Sequence, residues 1–240
     1  MIDFPDPREA PHDCDLLAVS RIGRDGSLIT APPDIEWPKL TEFGSSWDPE
    51  VLLEAYQRGL FPMPFEIDGE VIGIGWWSPA QRAIFDPAHI KISRSLRKDL
   101  SKFTVTFNQD FHAVLRSRGD PSRPQGWINQ DIADAYGRLH QMGIAHSVEV
   151  WQQGQLVGGL YGVAIGGVFA GESMFHKVTN ASKVALVHLG RWLDDGSGRI
   201  IDSQWLTEHL ASLGAVVIDR VDYCDLVQAK SHISPPLPPV

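Results

Sequence analysis

The stretch from His146 to Phe175 constrains the fold more than any other part of the 240-residue chain. Its apolar residues follow a strand pattern, and Gln153-Gly154 and Gly166-Gly167 stand where two tight hairpin turns would fall. We therefore expect three antiparallel strands. Glycine inside a strand usually marks a bulge or the close approach of another molecule. The expected strands contain four such residues: Gly158, Gly159, Gly162 and Gly171.

Glu172 lies at the end of the third expected strand, between Gly171 and the apolar Met174 and Phe175. A carboxylate with apolar neighbours tends toward a raised pKa, which is the property that a general base needs. A solvated glutamate at a strand end is the alternative, and both interpretations stay open at this point.

Asp202 and Gln204 form a second unusual group, near the end of an expected strand that begins at Arg199. Residues two apart in a strand point the same way, so we expect the two side chains to share a face. If this strand lies beside the one ending at Glu172, three polar groups converge and could deprotonate an amine nucleophile. A buried hydrogen-bond network that fixes two strands is the alternative.

The order of the remaining elements predicts an α+β fold with a mixed sheet. Residues 1–36 predict irregular pieces, a first helix begins after the cap Asp48, and Phe61-Pro62-Met63-Pro64 is expected to end regular structure. We place a small N-terminal domain at 1–80, a larger catalytic domain at 81–225 and a loose Pro-rich tail at 226–240. Further helices are expected near 93–102 and 109–117, after the caps Asn129 and Asn180, and at 207–213.

Charge is unevenly distributed along the chain. The net charge of −9 argues against a non-specific nucleic-acid binder, but residues 89–123 hold eight basic and three acidic side chains. That segment predicts either a local face for an anionic partner or a merely solvated face. Cys14 and Cys224 indicate reduced thiols, and no long apolar run or leader stands out. We expect a cytoplasmic protein without a membrane span.

Several common chemistries are not indicated. No G-x-S-x-G motif surrounds a serine, the histidines and cysteines lack metal-ligand spacing, and no phosphate-binding GxxxxGK[ST] motif occurs. We therefore predict no covalent nucleophile, no metal and no cofactor.

Ten segments, in order between about residues 40 and 220, together resemble one known family. They are Tyr56-Gln57-Arg58-Gly59 with Phe61-Pro62, Trp76-Trp77-Ser78-Pro79, Ser93-Arg94-Ser95, Trp127-Ile128, Ala145 to Trp151, Leu156 to Val163, Gly171-Glu172-Ser173-Met174-Phe175, Asn180-Ala181-Ser182-Lys183, Ile201-Asp202 with Gln204, and Ala211 to Ala215. The family is the leucyl/phenylalanyl-tRNA–protein transferases.

The resemblance implies transfer of Leu or Phe, and less well Met, from aminoacyl-tRNA to proteins with N-terminal Arg or Lys. That reaction marks the acceptors for degradation by the N-end rule pathway. The resemblance also implies a GCN5-related acyltransferase-like larger domain. By position, Glu172 corresponds to the essential acid, and Asp202 and Gln204 to the catalytic pair. Trp127 corresponds to a tryptophan that stacks on the terminal adenosine, while Met63 stands where a second tryptophan is usual.

Under this interpretation the strand glycines would let the aminoacyl ester approach the sheet. The pocket for the amino-acid side chain would be lined by Leu160, Phe169, Met174, Leu186 and Ile201. The acceptor-stem phosphates would be held by Arg94, Arg97, Lys98 and Lys102. We expect a monomer.

Two alternatives belong to different classes. An acyl-CoA-dependent N-acyltransferase of the same fold would need a glycine-rich turn to hold the pyrophosphate, but Phe175 to Asn180 contains no glycine. A non-catalytic RNA-binding module would use the basic segment and Trp127, and would have no need of Glu172, Asp202 and Gln204 together.

Overall fold

The structure is a computed structural model that describes residues 4–22, 28–31, 47–67, 70–118 and 130–239. In this part of the chain the strands are β1 (Leu16–Ile22), β2 (Leu28–Ala31), β3 (Phe61–Ile67), β4 (Glu70–Trp77), β5 (Gln81–Phe85), β6 (Thr104–Phe107), β7 (Ala145–Gln152), β8 (Gln155–Ile165), β9 (Val168–His176), β10 (Ile200–Gln204) and β11 (Val216–Asp219). The helices are α1 (Pro49–Gln57), α2 (Arg94–Asp99), α3 (Phe111–Arg118), α4 (Gln130–Gln141), α5 (Ala181–Leu193), α6 (Glu208–Ser212) and α7 (Arg220–Lys230).

The strands form two sheets. The first has four antiparallel strands in the order β2-β1-β4-β3, and the second has seven in the order β11-β5-β10-β9-β8-β7-β6. In the larger sheet β9 and β10 run parallel while the other neighbours are antiparallel, so the sheet is mixed. The predicted fold class is confirmed, as are the hairpins from β7 to β9. Gln153 and Gly154 both have positive φ, as the tight turn there requires.

Two hydrophobic clusters cover opposite faces of strands β7–β9. One contains residues of α1, α3 and α4 together with the small sheet, so the two sheets share a core. The other contains residues of α5 and α2. None of the helices in the described ranges has both the length and the apolar character that crossing a bilayer requires.

The N-terminal region is more regular than expected. Residues 1–36 were predicted to be irregular, but β1 and β2 belong to the small sheet. Regular structure was predicted to end at Phe61, whereas β3 begins there. Pro62 and Pro64 are compatible with β3 because it is an edge strand, where a missing backbone N–H leaves no central ladder bond unmade.

The C-terminal region also differs from expectation. Helix α7 covers residues predicted to lie partly in the loose tail, and the tail itself makes contacts. The Trp192 side chain donates a hydrogen bond to the carbonyl of Leu237 at 2.6 Å, and Arg199 donates to that of Ser234 at 2.8 Å. The tail therefore packs against the end of α5 and the start of β10.

Candidate active site

The site lies where β9 and β10 stop pairing. Their parallel register runs from Ile200 opposite Val168 to Asp202 opposite Ala170. Immediately beyond, the pairing of β9 with β8 shifts by one residue, so Glu172 is the extra residue of a β-bulge. The pairing of β10 with β5 shifts in the same way at Ser203. Since bulges bend strands and redirect side chains, two bulges at one level open the sheet here.

A cavity of about 320 Å³ occupies this opening. Its wall on the α5 side is apolar, and Glu172 and Gln204 are among its polar lining residues. The lining residues are Phe85, Leu160, Tyr161, Gly171, Glu172, Ser173, Met174, Leu186, Leu189, Ile201, Asp202, Ser203, Gln204, Trp205, Thr207 and Leu210. An apolar cavity with a few convergent polar groups has the character of a small-molecule site.

Glu172 is held by groups from two other elements. The Tyr136 hydroxyl of α4 donates to Glu172 Oε2 at 3.0 Å, and Gln204 Nε2 donates to Oε1 at 3.2 Å. Burial raises the pKa of Glu172 to about 7, against the opposing effect of the tyrosine hydroxyls, while the charge of Asp202 raises it further. A carboxylate with this pKa exchanges protons readily near neutral pH.

A second hydroxyl extends this network. The hydroxyl groups of Tyr56, on α1, and Tyr136 lie 2.6 Å apart, and both side chains are buried. Hydrogen bonds from both hydroxyls to Glu172 lower its pKa and so partly offset the effect of burial. Burial raises the pKa of both phenols, so they remain protonated donors. The sequence motif containing Tyr56 was noted, but neither tyrosine was predicted to serve the site.

Asp202, near the end of β10, makes several buried hydrogen bonds. Its buried carboxylate accepts two hydrogen bonds from Arg82, at 2.8 and 2.6 Å, and one from the Tyr223 hydroxyl at 2.8 Å. The Arg82 guanidinium lies over the rings of Phe61 and Tyr223, 4.7 and 4.3 Å from their centroids. Asp202 is therefore the anchor of a buried ion pair.

A bulge separates Asp202 from Gln204 in β10, and both residues line the cavity. Gln204 has φ +65°, in the left-handed region that non-glycine residues rarely adopt. Asp202 Oδ1 accepts a hydrogen bond from the backbone N–H of Gln204 at 2.9 Å, while the Gln204 side chain reaches Glu172. Asp202 thus stabilises the backbone turn that directs the Gln204 side chain toward Glu172. Of the two residues, only Gln204 forms a hydrogen bond with Glu172.

The residues predicted to bind the substrate lie in different parts of the structure. Leu160, Met174, Leu186 and Ile201 line the cavity. Phe169 does not, because it precedes the β9 bulge; it packs in the core with its ring centroid 6.2 Å from that of Trp192. Met63 packs part-buried against the core shared by the sheets. Trp127 lies outside the described residues.

The strand glycines make room for the protein's own packing. A Cβ at Gly158 would lie 2.5 Å from the Cβ of Ala181, at the start of α5, and one at Gly159 would lie 2.7 Å from the carbonyl oxygen of Val148. The expectation that these glycines admit an ester is therefore wrong. Gly171 differs because it lines the cavity. A Cβ added at Gly171 would lie 3.3 Å from the carbonyl oxygen of Asp202.

The basic side chains lie on α2 and the turn after it. Arg94, Arg97, Lys98 and Lys102 are all exposed, and Lys102 pairs with Asp99 at 2.6 Å. Asp99 also accepts a hydrogen bond from the side chain of Asn180 at 2.7 Å. Asn180 was expected to cap α5, but it has φ +67° and makes no side-chain cap bond. The hydrogen bond between Asn180 and Asp99 therefore joins the end of α2 to the start of α5.

A half-buried carboxylate with a pKa near neutrality beside an apolar cavity is typical of an enzyme site. The family model described as leucyl/phenylalanyl-tRNA protein transferase matches residues 84–228, and the model for its N-terminal domain matches 46–80. The chain belongs to the leucyl/phenylalanyl-tRNA–protein transferase family.

Curated proteins with that name are similar over most of their length. The protein from Shewanella halifaxensis is 48% identical over 78% of this chain and 80% of its own. That from Azoarcus sp. strain BH72 is 47% identical over 80% and 82%, and that from Psychromonas ingrahamii is 42% identical over 88% and 87%, respectively.

Proposed function

We propose that this enzyme transfers leucine or phenylalanine, and methionine less well, from aminoacyl-tRNA to the N-terminal Arg or Lys of acceptor proteins. The product carries a new N-terminal residue that marks it for degradation by the N-end rule pathway in the cytoplasm. The observation that carries the proposal is the apolar cavity that ends at Glu172, whose pKa is about 7.

The proposed chemistry needs one proton acceptor. The acceptor α-amine, with an ordinary pKa of about 7.7–8.0, attacks the ester carbonyl, and the 3′ oxygen of the tRNA leaves. The new bond joins the amine nitrogen to the carbonyl carbon, and the amine proton passes to Glu172 directly or through a water that it holds. The proton then goes to the departing oxygen. Because the ester is already activated, no covalent enzyme intermediate is required, and positioning supplies most of the acceleration.

The side-chain cavity supports the choice of amino acid. Leu160, Met174, Leu186 and Ile201 offer an apolar surface with no charged group on the α5 side, where a leucine, phenylalanine or methionine side chain gains by leaving water. Glu172 and Gln204 then stand where the α-carbon substituents of the bound residue would lie. Gln204 serves as a donor, since a neutral amide is a very poor base.

We assign the tRNA to the exposed basic side chains of α2. Arg94, Arg97 and Lys98 are exposed, and their charges suit acceptor-stem phosphates. Lys102 contributes less in this assignment because Asp99 already partners it. Trp127, which matches the family tryptophan, and Met63, which stands where a second tryptophan is usual, are proposed to contact the terminal adenosine.

The acyl-CoA alternative is less well supported. A CoA pyrophosphate would need the N-terminus of α5 free for an anion. There the side chain of Asn180 donates to the carboxylate of Asp99 at 2.7 Å, which already places a negative charge beside that helix end. Repulsion between this carboxylate and a pyrophosphate counts against CoA.

The test compares wild type with Glu172→Gln, using radiolabelled Leu-tRNA and a reporter that begins with Arg. Glu50→Gln is the matched control, because Glu50 is an exposed glutamate on α1. We expect label transfer by wild type and by the control, and a loss of about 100-fold or more in Glu172→Gln with tRNA binding retained. Tight tRNA binding without transfer by wild type would favour the RNA-binding module and contradict the proposal.

A further inference from the structure

Trp205, in the cavity wall, is held by a residue from the small sheet. Its indole N–H donates to Asp15 Oδ2 at 3.0 Å. Its ring also makes edge contacts with Phe61 and Trp77, at centroid distances of 5.0 and 5.8 Å. Asp15 directly precedes β1 and lies before residue 46, where the N-terminal family match begins. A part of the chain outside both family matches therefore supports the cavity.

Asp15 is itself fixed by the junction between the two sheets. Its Oδ1 accepts a hydrogen bond from the backbone N–H of Ala80 at 2.9 Å, and its carbonyl accepts one from Ser78 at 2.8 Å. Arg220, at the start of α7, lies 3.7 Å from Oδ1 and donates to the carbonyl of Cys14 at 2.5 Å. A carboxylate with this many restraints can act as a rigid support for Trp205.

The backbone of Gln204 makes such a support necessary. A non-glycine residue at φ +65° is strained, and it persists only where its surroundings over-determine the conformation. On its N-terminal side the restraint is the hydrogen bond from Gln204 N–H to Asp202. On its C-terminal side the next residue is Trp205, whose indole is bound by Asp15.

We propose that Asp15 is a positioning residue for aminoacyl transfer, which through Trp205 holds Gln204 against Glu172 and keeps the cavity closed around that carboxylate. The inference rests on the proposed function. The N-terminal segment of this chain is thereby part of the catalytic apparatus, although Asp15 does not touch the reacting atoms.

Releasing Trp205 has a second, measurable consequence. Burial is the main cause of the raised pKa of Glu172, so admitting water beside Trp205 lowers that pKa toward its ordinary value. The other ionisable groups that act on Glu172 are unchanged by a substitution of Asp15; they are Tyr56, Tyr136, Arg82 and Asp202. A shift in the pH profile therefore reports on the cavity and not merely on folding.

The experiment measures kcat, KM for Leu-tRNA and the pH midpoint of transfer for Asp15→Ala, Trp205→Phe and the double variant. Arg8→Ala is the control, since Arg8 also anchors the N-terminal segment but binds Asp225 and Gln228 of α7. We expect Asp15→Ala and Trp205→Phe each to lower kcat about tenfold with KM nearly unchanged, because misplacing a reacting group acts on the chemical step. Both should shift the pH midpoint to lower pH.

The double variant decides whether Asp15 acts through Trp205. If it does, the double variant matches the single variants instead of multiplying their losses. Multiplied losses, or an Asp15→Ala protein with a lower Tm but wild-type kcat and pH midpoint, would overturn the inference and leave the proposed function intact. No transfer by wild type would overturn the proposed function and this inference with it.

Discussion

Gln204 Nε2 lies 3.2 Å from Glu172 Oε1, so strand β10 presents an amide, and not a second carboxylate, to the acid of β9. The carboxylate of Asp202, two residues earlier, is buried and bonded to Arg82 and Tyr223. Among these three polar groups only Glu172 combines a place on the cavity with a pKa near neutrality. In the proposed reaction, Glu172 is therefore the favoured acceptor of the amine proton.

The rate of transfer should depend on the ionisation of Glu172. Because the pKa of Glu172 is about 7 and the base must be deprotonated, kcat/KM should rise with pH through about 7 and fall about tenfold per unit below it. The measurement is a pH profile of single-turnover transfer between pH 5.5 and 8.5. A rate that stays constant down to pH 5.5 would exclude Glu172 as the base.

Folding stability should show the opposite dependence. The pKa of Glu172 is raised from an ordinary 4.5 to about 7, so between these values the folded state binds more protons than the unfolded state. Stability is thus full below about pH 4.5 and is lost as pH rises toward 7. Glu172→Gln should therefore raise the free energy of unfolding at pH 8 by about 1–3 kcal/mol and change it little at pH 5. Equal effects at both pH values in denaturant titrations would contradict this expectation.

The sequence is sufficient to predict the hairpins of β7–β9, the mixed sheet and the raised pKa of Glu172. These features follow from local signals, namely turn glycines, alternating apolar residues and a carboxylate among apolar neighbours. Asp202 and Gln204, which were predicted from their motif positions, line the same cavity as Glu172.

The roles within the site depend on contacts that sequence periodicity does not contain. The extra residue in β10 is followed by the left-handed backbone of Gln204, and a period of two cannot anticipate such a bulge. Arg82 is 120 residues from its partner Asp202 in the chain, and Tyr136 is 36 from Glu172. Strand β3 was missed because its two prolines suggest a break in regular structure but are tolerated at the edge of the small sheet.

The buried pair of Arg82 and Asp202 should dominate the stability of the site. Arg82→Met leaves the fully buried Asp202 without its ion-pair partner and should cost about 3–5 kcal/mol in the free energy of unfolding. Adding Asp202→Asn to that variant removes the unpaired buried charge. The double variant should therefore recover part of the lost free energy of unfolding. Arg58→Met is the control, because its partner Glu54 is surface-accessible; a cost of less than about 1 kcal/mol is expected. If Arg82→Met and Arg58→Met lost similar amounts of unfolding free energy, the pair of Arg82 and Asp202 would not dominate the stability of the site.

Binding of tRNA should depend on salt through the exposed charges of α2. Replacing Arg97 with Ala removes one phosphate contact, so the slope of log affinity against log salt should become less steep by about 1. Lys102→Ala should change the slope less, because Asp99 partners Lys102 at 2.6 Å. Filter binding of Leu-tRNA at several salt concentrations measures both. Unchanged slopes in both variants would place the tRNA elsewhere.

The apolar wall of the cavity should set the choice between leucine and phenylalanine. Leu186 lines the cavity from α5, so Leu186→Phe reduces the room for a bulky side chain. We expect the ratio of kcat/KM for Phe-tRNA to that for Leu-tRNA to fall about tenfold, the usual size of discrimination by steric fit in an apolar pocket. Phe169→Leu is the matched control, because Phe169 packs in the core outside the cavity and its loss should lower Tm while leaving the ratio unchanged. Competition between the two aminoacyl-tRNAs in one reaction gives the ratio directly. If Phe169→Leu changed it and Leu186→Phe did not, the amino-acid side chain would bind elsewhere than in this cavity.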